Sequence, residues 1–421
     1  MTPPPASVVV VSRHRAAALH CCLVALGQQD HPNFEVIVVA DPEGIAAARA
    51  TGLSVRLIPF DEANISAARN AGLARAAAPV VAFIDDDATA EPTWLSRLVA
   101  PFRDPRVGAA TGFVRGRNGI SRQWGAAWVD RSGRDHPFEL EETGGTYAPE
   151  DGRVIKTQGT NCAFRRDALL EIGGFDPAFR FYLDEVDVNL RMQALTAVVP
   201  LAQVVHGFAE SVRRRADRVP VSLHDIGAST MCLLRRHLPE AEAAALAVAE
   251  VIAAQTKRVE ALRAARRITA ADATALLQSL KDGLQDGGTR PLPVLLPIPP
   301  ATGFAPLPGT GPRPGIVLSG RFWQRRALLA RAAQAVAQGT IVTVLCLSPN
   351  ARPHHLRMRP SGVWLQEGGL FGRSDRTGPR IRLIRFGTRI AQETARAAKY
   401  RPISACSLQN RRSSPETPPP Q

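Results

Sequence analysis

The 421-residue chain has no run approaching the roughly 18 uninterrupted apolar residues that a membrane-spanning helix requires, so a helical integral membrane protein is not expected. Its start, MTPPPASVVVVSRHR, lacks a charged leader followed by a proper apolar core, and its apolar run is short enough to be a buried strand; that argues against secretion. Six cysteines, Cys21, Cys22, Cys162, Cys232, Cys346 and Cys406, show neither CxxC spacing nor the density of a disulfide framework. Reduced, structural thiols in a cytoplasmic protein are the expectation. No internal repeat is visible. What is present is an ordinary apolar content of 45% and a length too great for one core, which predicts two or three domains.

The net charge of +14 is unevenly placed. Residues 291–421 hold 19 Lys+Arg against 4 Asp+Glu, whereas residues 1–290 hold 33 against 34. The basic character therefore belongs to the C-terminal third. It suits an anionic partner, such as a phospholipid surface, a charged glycan or nucleic acid, or else is an arginine-rich solvated face.

Strand and helix signals alternate through the first hundred residues. SVVVVS (7–12), FEVIVVAD (34–41), SVRLIPF (54–60) and PVVAFIDDD (79–87) read as short buried strands, with helices near 16–28 and 64–78 between them. Such alternation implies a parallel sheet covered on both faces, with ligands at the carboxyl ends of its strands. Ser12, Asp41 and Asp85–Asp87 sit at those ends. A further strand is expected at 108–114, then a polar, Gly-rich stretch (115–152) that is either a lid or a pair of irregular strands. GTNCAFRRDALLEIGGFD reads as a strand entering a helix, FRFYLDEVDVNLRMQAL as an amphipathic helix with an acidic start, and AVVPLAQVVHGF as a strand. These divide the chain into an N-terminal α/β domain (1–221), a helical segment (222–289), a Pro-rich linker (290–315), a basic C-terminal α/β region (316–405) and a disordered tail (406–421).

The aspartate triplet poses the chemical question. Three adjacent carboxylates behind VAFI repel one another and lose hydration. They either form a polar turn or cradle a divalent cation. The succession VVVVSRHR, EVIVVAD, NISAARNAGL, VVAFIDDDA, GTNCAFRRDALLEIGGFD and FYLDEVDVNLRM resembles the family 2 glycosyltransferases of the GT-A fold over residues 6–215. The fold implied is α/β, Rossmann-like with a mostly parallel sheet.

The resemblance implies a role for each element. Asp85 and Asp87 stand at the outer positions of a D-x-D motif, Asp85 toward the ribose or the metal and Asp87 toward the metal, with Asp86 as the spacer on the nucleotide side; the cation, Mn²⁺ or Mg²⁺, would meet a sugar-nucleotide diphosphate, and His206 is a further ligand. Asp41 matches the nucleobase-reading aspartate, although it is followed here by Pro42-Glu43; a carboxylate there favours a uracil-type imide and hence a UDP-sugar. Ser12, Arg15, Arg69 and Asn70 match nucleotide-side positions. In the YLDEVD segment positional matching nominates Glu185 as the base, with Asp184 and Asp187 as alternatives. Asn161 and Trp128, together with Trp124, are expected on the donor-sugar or acceptor side.

The activity implied is inverting, metal-dependent sugar transfer to a glycan, lipid-linked or small-molecule acceptor. The protein would be cytoplasmic, in peripheral contact with the inner membrane face through its basic region, and without a nucleic-acid partner. Two alternatives stand beside it. A nucleotidyltransferase would normally place glycines in the first loop, and SVVVVSRHRAAALH has none. An inactive scaffold is the other, suggested by the Asp-Glu order at 184–185 where the family usually has Glu-Asp.

Overall fold

The structure is a computed structural model that describes residues 3–139, 143–207, 215 and 217–408. The chain divides into two compact units: residues 1–117 with 122–312, and residues 118–121 with 313–421.

In the first unit, β1 (Ala6–Ser12), α1 (Ala16–Leu26), β2 (Phe34–Ala40), α2 (Pro42–Ala50), β3 (Arg56–Pro59), α3 (Ile65–Leu73) and β4 (Val80–Asp85) alternate, all but α2 at places the sequence predicts. β1 runs parallel to β2 and β4, and β2 parallel to β3. β5 (Ala88–Ala90), α4 (Trp94–Val99) and β6 (Val107–Arg115) follow. The polar stretch then forms short strands rather than a lid: β7 (Arg122–Trp124), β8 (Trp128–Val129), β9 (Asp135–His136), β10 (Gly145–Tyr147) and β11 (Val154–Ile155). β12 (Asn161–Arg165), α5 (Arg166–Glu171), α6 (Asp184–Met192) and β13 (Leu195–His206) complete the sheet, whose order is β10-β13-β6-β12-β4-β1-β2-β3, with β5 on β13 and β7 on β6.

The strands are β-branched throughout because both faces are covered. Val8, Val10, Val36 and Val38 pack against Leu19 and Leu23 of α1 and Trp94 of α4, while Val9, Ile37 and Val39 pack against Leu73 of α3 and Val188 of α6. Each such side chain contributes about 1.5–3 kcal/mol relative to exposure. α3 rides so close to β1 that a methyl group on Gly72 would collide with Val9 Cγ1. That closeness brings the helix carrying Arg69 up to the strand ends.

Residues 222–289 are helical as expected: α7 (His224–His237), α8 (Ala241–Ala264) and α9 (Ala270–Thr289), the last opened by a Thr269–Asp272 capping box. The Pro-rich stretch differs from a free linker. Leu307 N–H donates to Phe34 O (2.7 Å), Ile298 N–H to Leu170 O (3.0 Å) and Gly311 N–H to Gln29 O (3.1 Å), so up to residue 312 it is strapped onto the first unit. Proline cannot donate, and the few remaining amides make these bonds.

The second unit is larger than one strand–helix–strand motif. β14 (Gly315–Arg321), α10 (Arg325–Ala337), β15 (Ile341–Ser348), β16 (His355–Met358), β17 (Trp364–Gly369), α11 (Phe386–Ala398) and β18 (Ala405–Leu408) form a sheet of order β16-β17-β15-β14-β18. Residues 406–408, assigned to the tail from sequence, lie in β18; residues 409–421 are outside the described residues. The five described cysteines are free thiols. Among the described residues no helix is long and apolar enough to cross a membrane.

Candidate active site

β4 ends at Asp85, and the chain turns through Asp86 and Asp87 into β5. β5 pairs antiparallel with the end of β13, setting Ala88 opposite His206, and Gly207 N–H donates to Asp87 O (2.7 Å). This pairing joins a histidine to a turn that lies 119 residues earlier (Asp87 to His206). One ligand atom each from Asp85, Asp87 and His206 lie within 4.8 Å of one another, with His206 Nε2 3.3 Å from Asp87 Oδ1. Two carboxylates and an imidazole are a donor set that fits a hard-to-borderline divalent cation. The Trp124 ring stands over His206, centroids 5.4 Å apart.

Asp86 points the other way. It is fully buried, accepts from Ser12 Oγ (2.7 Å) and pairs with Arg15 Nη2 (2.7 Å). Burial, with Asp87 and Asp85 beside it, pushes its carboxyl up to about 7 against the pull of Arg15 and Ser12. Asp86 and Ser12, both expected on the nucleotide, therefore bond to each other: they hold the turn. Arg15 also reaches Asp87 Oδ2 at 3.4 Å. Burial alone would lower the Arg15 pKa, but the three aspartates raise it.

Arg69 links the two acidic sets. It is 4% exposed, and its guanidinium binds Asp184 Oδ2, donates to Gly159 O (3.1 Å) and lies 3.5 Å from Asp85 Oδ1, flanked by the rings of Phe83 and Phe175. Asp85 accepts as well from Thr160 Oγ1 (2.6 Å), a contact that sequence reasoning missed although Thr160 stands beside Asn161 in the quoted motif.

α6 begins after two residues in left-handed backbone, Tyr182 (φ 74°) and Leu183 (φ 64°). Non-glycine residues there cost about 1–3 kcal/mol each and persist where surrounding structure enforces them. The helix they start presents Glu185 toward Gly159, where a side chain would stand 3.6 Å from its carboxyl carbon. Burial and then the adjacent Asp184 push Glu185 up to about 7, with Lys156 and Arg69 opposing. Lys156, unforeseen from sequence, is held by Asp135 (2.9 Å).

The third carboxylate differs. Asp187 is fully buried; Arg191 Nε and Nη2 reach its Oδ2 at 2.9 and 2.7 Å, and His237 Nε2 its Oδ1 at 2.9 Å. Burial works to raise its pKa, but His237 and Arg191 hold it below the usual carboxylate range. So caged, it is a poor base, and this corrects its nomination.

Further residues singled out in the sequence make these contacts. Asn161 is buried with its whole amide engaged: its Nδ2 donates to Phe113 O (3.0 Å) and Ala202 O (2.9 Å), and Trp94 Nε1 donates to its Oδ1 (2.7 Å). It knits β12 to β6 and β13 and has no group left for a sugar. Trp128 packs in an aromatic cluster with Phe138 (5.5 Å), while Trp124 adjoins the metal-type cluster. Asp41 is at the expected strand end but 1% exposed, with His14 covering it: His14 N–H donates to Oδ1 (3.2 Å) and Nδ1 lies 3.3 Å from Oδ2. Asn70, finally, bonds Phe175 N and O and so fixes the chain before α6.

Residues 7–173 match the model for glycosyl transferase family 2. The chain is 28% identical over 235 residues to the O-antigen biosynthesis protein RfbC of Myxococcus xanthus (52% of this chain, 18% of that one). It is 35% identical over 120 residues to the glucosyl-dolichyl phosphate glucuronosyltransferase of Haloferax volcanii (27% and 34%). It is 30% identical over 156 residues to the pre-mycofactocin glycosyltransferase of Mycobacterium tuberculosis (35% and 31%). The chain thus spans between 18% and 34% of the length of these relatives. Among solved structures, it is similar to the mannosyltransferase PcManGT from Pyrobaculum calidifontis in complex with GDP-Man and Mn²⁺ (17% identity, 68% of this chain and 88% of that one, TM-score 0.40). It is also similar to S. aureus TarS in complex with UDP-GlcNAc (17%, 67% and 81%, TM-score 0.46). The likeness to glycosyl transferase family 2 is thus carried by residues 7–173 of the chain.

Proposed function

We propose that the chain transfers a sugar from a nucleoside-diphosphate donor to a hydroxyl acceptor with inversion, Asp85, Asp87 and His206 holding a divalent cation and Glu185 acting as base. The observation that carries this reading is the convergence of two acidic sets on Arg69: the Asp85–Asp87–His206 cluster on one side, Asp184 and a raised Glu185 on the other. When bound, Mn²⁺ or Mg²⁺ would neutralise charge developing on the leaving diphosphate.

The chain's own groups do the rest. Ser12, Asp86 and Arg15 fix the turn so that Asp85 and Asp87 face outward from the strand end. His14 and Asp41 form the nucleobase side, where His14 must swing aside for the carboxylate to accept from a uracil-type imide. Arg69 pairs with Asp184 and fixes it, leaving Glu185 as the carboxylate free to take a proton. A group poised near neutrality can collect the acceptor hydroxyl's proton as the oxygen attacks the anomeric carbon. Trp124 offers a ring face beside the metal-type cluster on which a sugar can stack. A glycan or lipid-linked acceptor fits this reading, as does a cytoplasmic location in which the basic C-terminal region meets an anionic membrane surface.

The test is product formation. The chain, Mn²⁺ and a panel of UDP- and GDP-sugars are incubated with and without lipid-phosphate and glycan acceptors, and nucleoside diphosphate release is followed. Release that vanishes in Glu185→Gln supports the reading; equal release by wild type and Glu185→Gln contradicts it.

A further inference from the structure

The helical segment lies outside the residues matched to the family model, yet it holds the segment that carries the acidic set. Asp176 opens the loop that leads through Tyr182 and Leu183 into α6, and each part of that loop is gripped by α7 or by the end of α9. Arg236 pairs with Asp176, which is fully buried. Arg290 Nη1 donates to Ala178 O (2.8 Å) and Ser229 Oγ to Phe181 O (2.7 Å). His237, the last residue of α7, reaches Asp187 on α6 at 2.9 Å. Between these polar contacts Phe179, Leu183, Val186 and Leu190 pack against Cys232 and Leu233.

α7 is itself fixed. A methyl group on Gly283 would collide with His224 O, and one on Gly287 with Ala228 O, so α7 and α9 cross backbone against backbone. A helix so held has little freedom to shift. Left-handed backbone at two successive non-glycine residues requires enforcement of this kind.

We propose that His237 is a positioning residue for Glu185: together with Ser229 it holds the strained turn and the first turn of α6, so that the Glu185 carboxylate stays at Gly159 and Arg69. His237 does this through Asp187 and touches no reacting atom. The inference rests on the transferase reading for the role of Glu185, and the helical segment thereby becomes part of the catalytic machinery.

The experiment uses the full chain and three variants: His237→Leu, which removes the donor to Asp187; His237→Gln, which keeps an N–H at similar reach; and Ser229→Ala, which deletes only the bond to Phe181 O. Turnover is read as nucleotide release from UDP-glucose or GDP-mannose with Mn²⁺, affinity as UDP or GDP titration calorimetry, and local order as amide hydrogen exchange over residues 176–190. Expected are a tenfold or greater fall in kcat for His237→Leu with nucleotide affinity within twofold, faster exchange at 182–187, and recovery of most of the rate in His237→Gln. Should His237→Leu fail to fold, Ser229→Ala carries the test, with a threefold or greater fall in kcat and the same split. Unchanged kcat, or kcat and affinity falling together, overturns the positioning role. A wild-type chain that binds nucleotide but releases none from either donor overturns the transferase reading, and the role assigned to His237 with it.

Discussion

Arg69 is the residue on which the two halves of the site depend, and its removal has a calculable consequence. In Arg69→Met the buried Asp184 loses its only described cationic partner, Gly159 O loses a donor, and the Phe83 and Phe175 rings still pack on the new side chain. Breaking a buried ion pair by removing one partner costs about 3–5 kcal/mol, because the remaining charge stays buried without compensation. For a unit of this size that is roughly 6–20 °C in Tm, at about 2–4 °C per kcal/mol. The companion change Asp184→Asn removes the stranded charge, so the double variant should recover about half or more of the loss, a coupling of about 1.5–3 kcal/mol. Urea unfolding of wild type, both single variants and the double variant closes the cycle. Additive single effects, or a loss below about 1 kcal/mol in Arg69→Met, would refute the claim that Arg69 and Asp184 form a buried bridge.

Other expectations follow from the same geometry. Glu185 is raised from its ordinary value near 4.5 to about 7, so between those pH values the folded chain keeps a proton that the unfolded chain has lost. Stability therefore falls as pH rises from about 4.5 to about 7, and Glu185→Gln flattens that slope in pH-dependent melting. Turnover that needs the ionised base rises through the same point, giving an ascending limb near pH 7 in a kcat profile. Gly72→Ala should destabilise by about 1–3 kcal/mol in chemical denaturation, since Val9 has no room to yield. The basic C-terminal region should bind anionic vesicles in co-sedimentation and release them when NaCl rises from about 50 to about 500 mM, as screening requires; retention at high salt would contradict an electrostatic contact.

The parts of the fold legible in the sequence were those dictated by local chemistry. β-branched runs such as Val8–Val11 and Val36–Val39 can only be strands buried on both faces, and the Thr269 capping box marks its own helix. Carboxylates behind such a run had to face either a turn or a cation, and the structure separates them: Asp86 holds the turn, while Asp85 and Asp87 gather with His206. What stayed hidden depends on partners far along the chain. Asp187 reads like Asp184 and Glu185 until His237 is found against it, fifty residues later. Asn161 looks like a ligand residue because nothing local shows that β6 and β13 use up its amide. The proline-rich stretch has the composition of a linker, yet its few amides pair with Phe34, Leu170 and Gln29, and Leu307 and Ile298 pack into the hydrophobic clusters of the first unit.

The central claim, a cation-dependent nucleotide site at Asp85, Asp87 and His206, is tested most directly by thermal shift with UDP and GDP, each with and without Mn²⁺. A ligand that binds the folded chain alone raises Tm by mass action. The expected result is a shift with one nucleotide that requires Mn²⁺ and is lost in Asp87→Ala, which leaves the Ser12–Asp86–Arg15 turn in place. A shift of equal size without the metal, or one that persists in Asp87→Ala, would contradict the site.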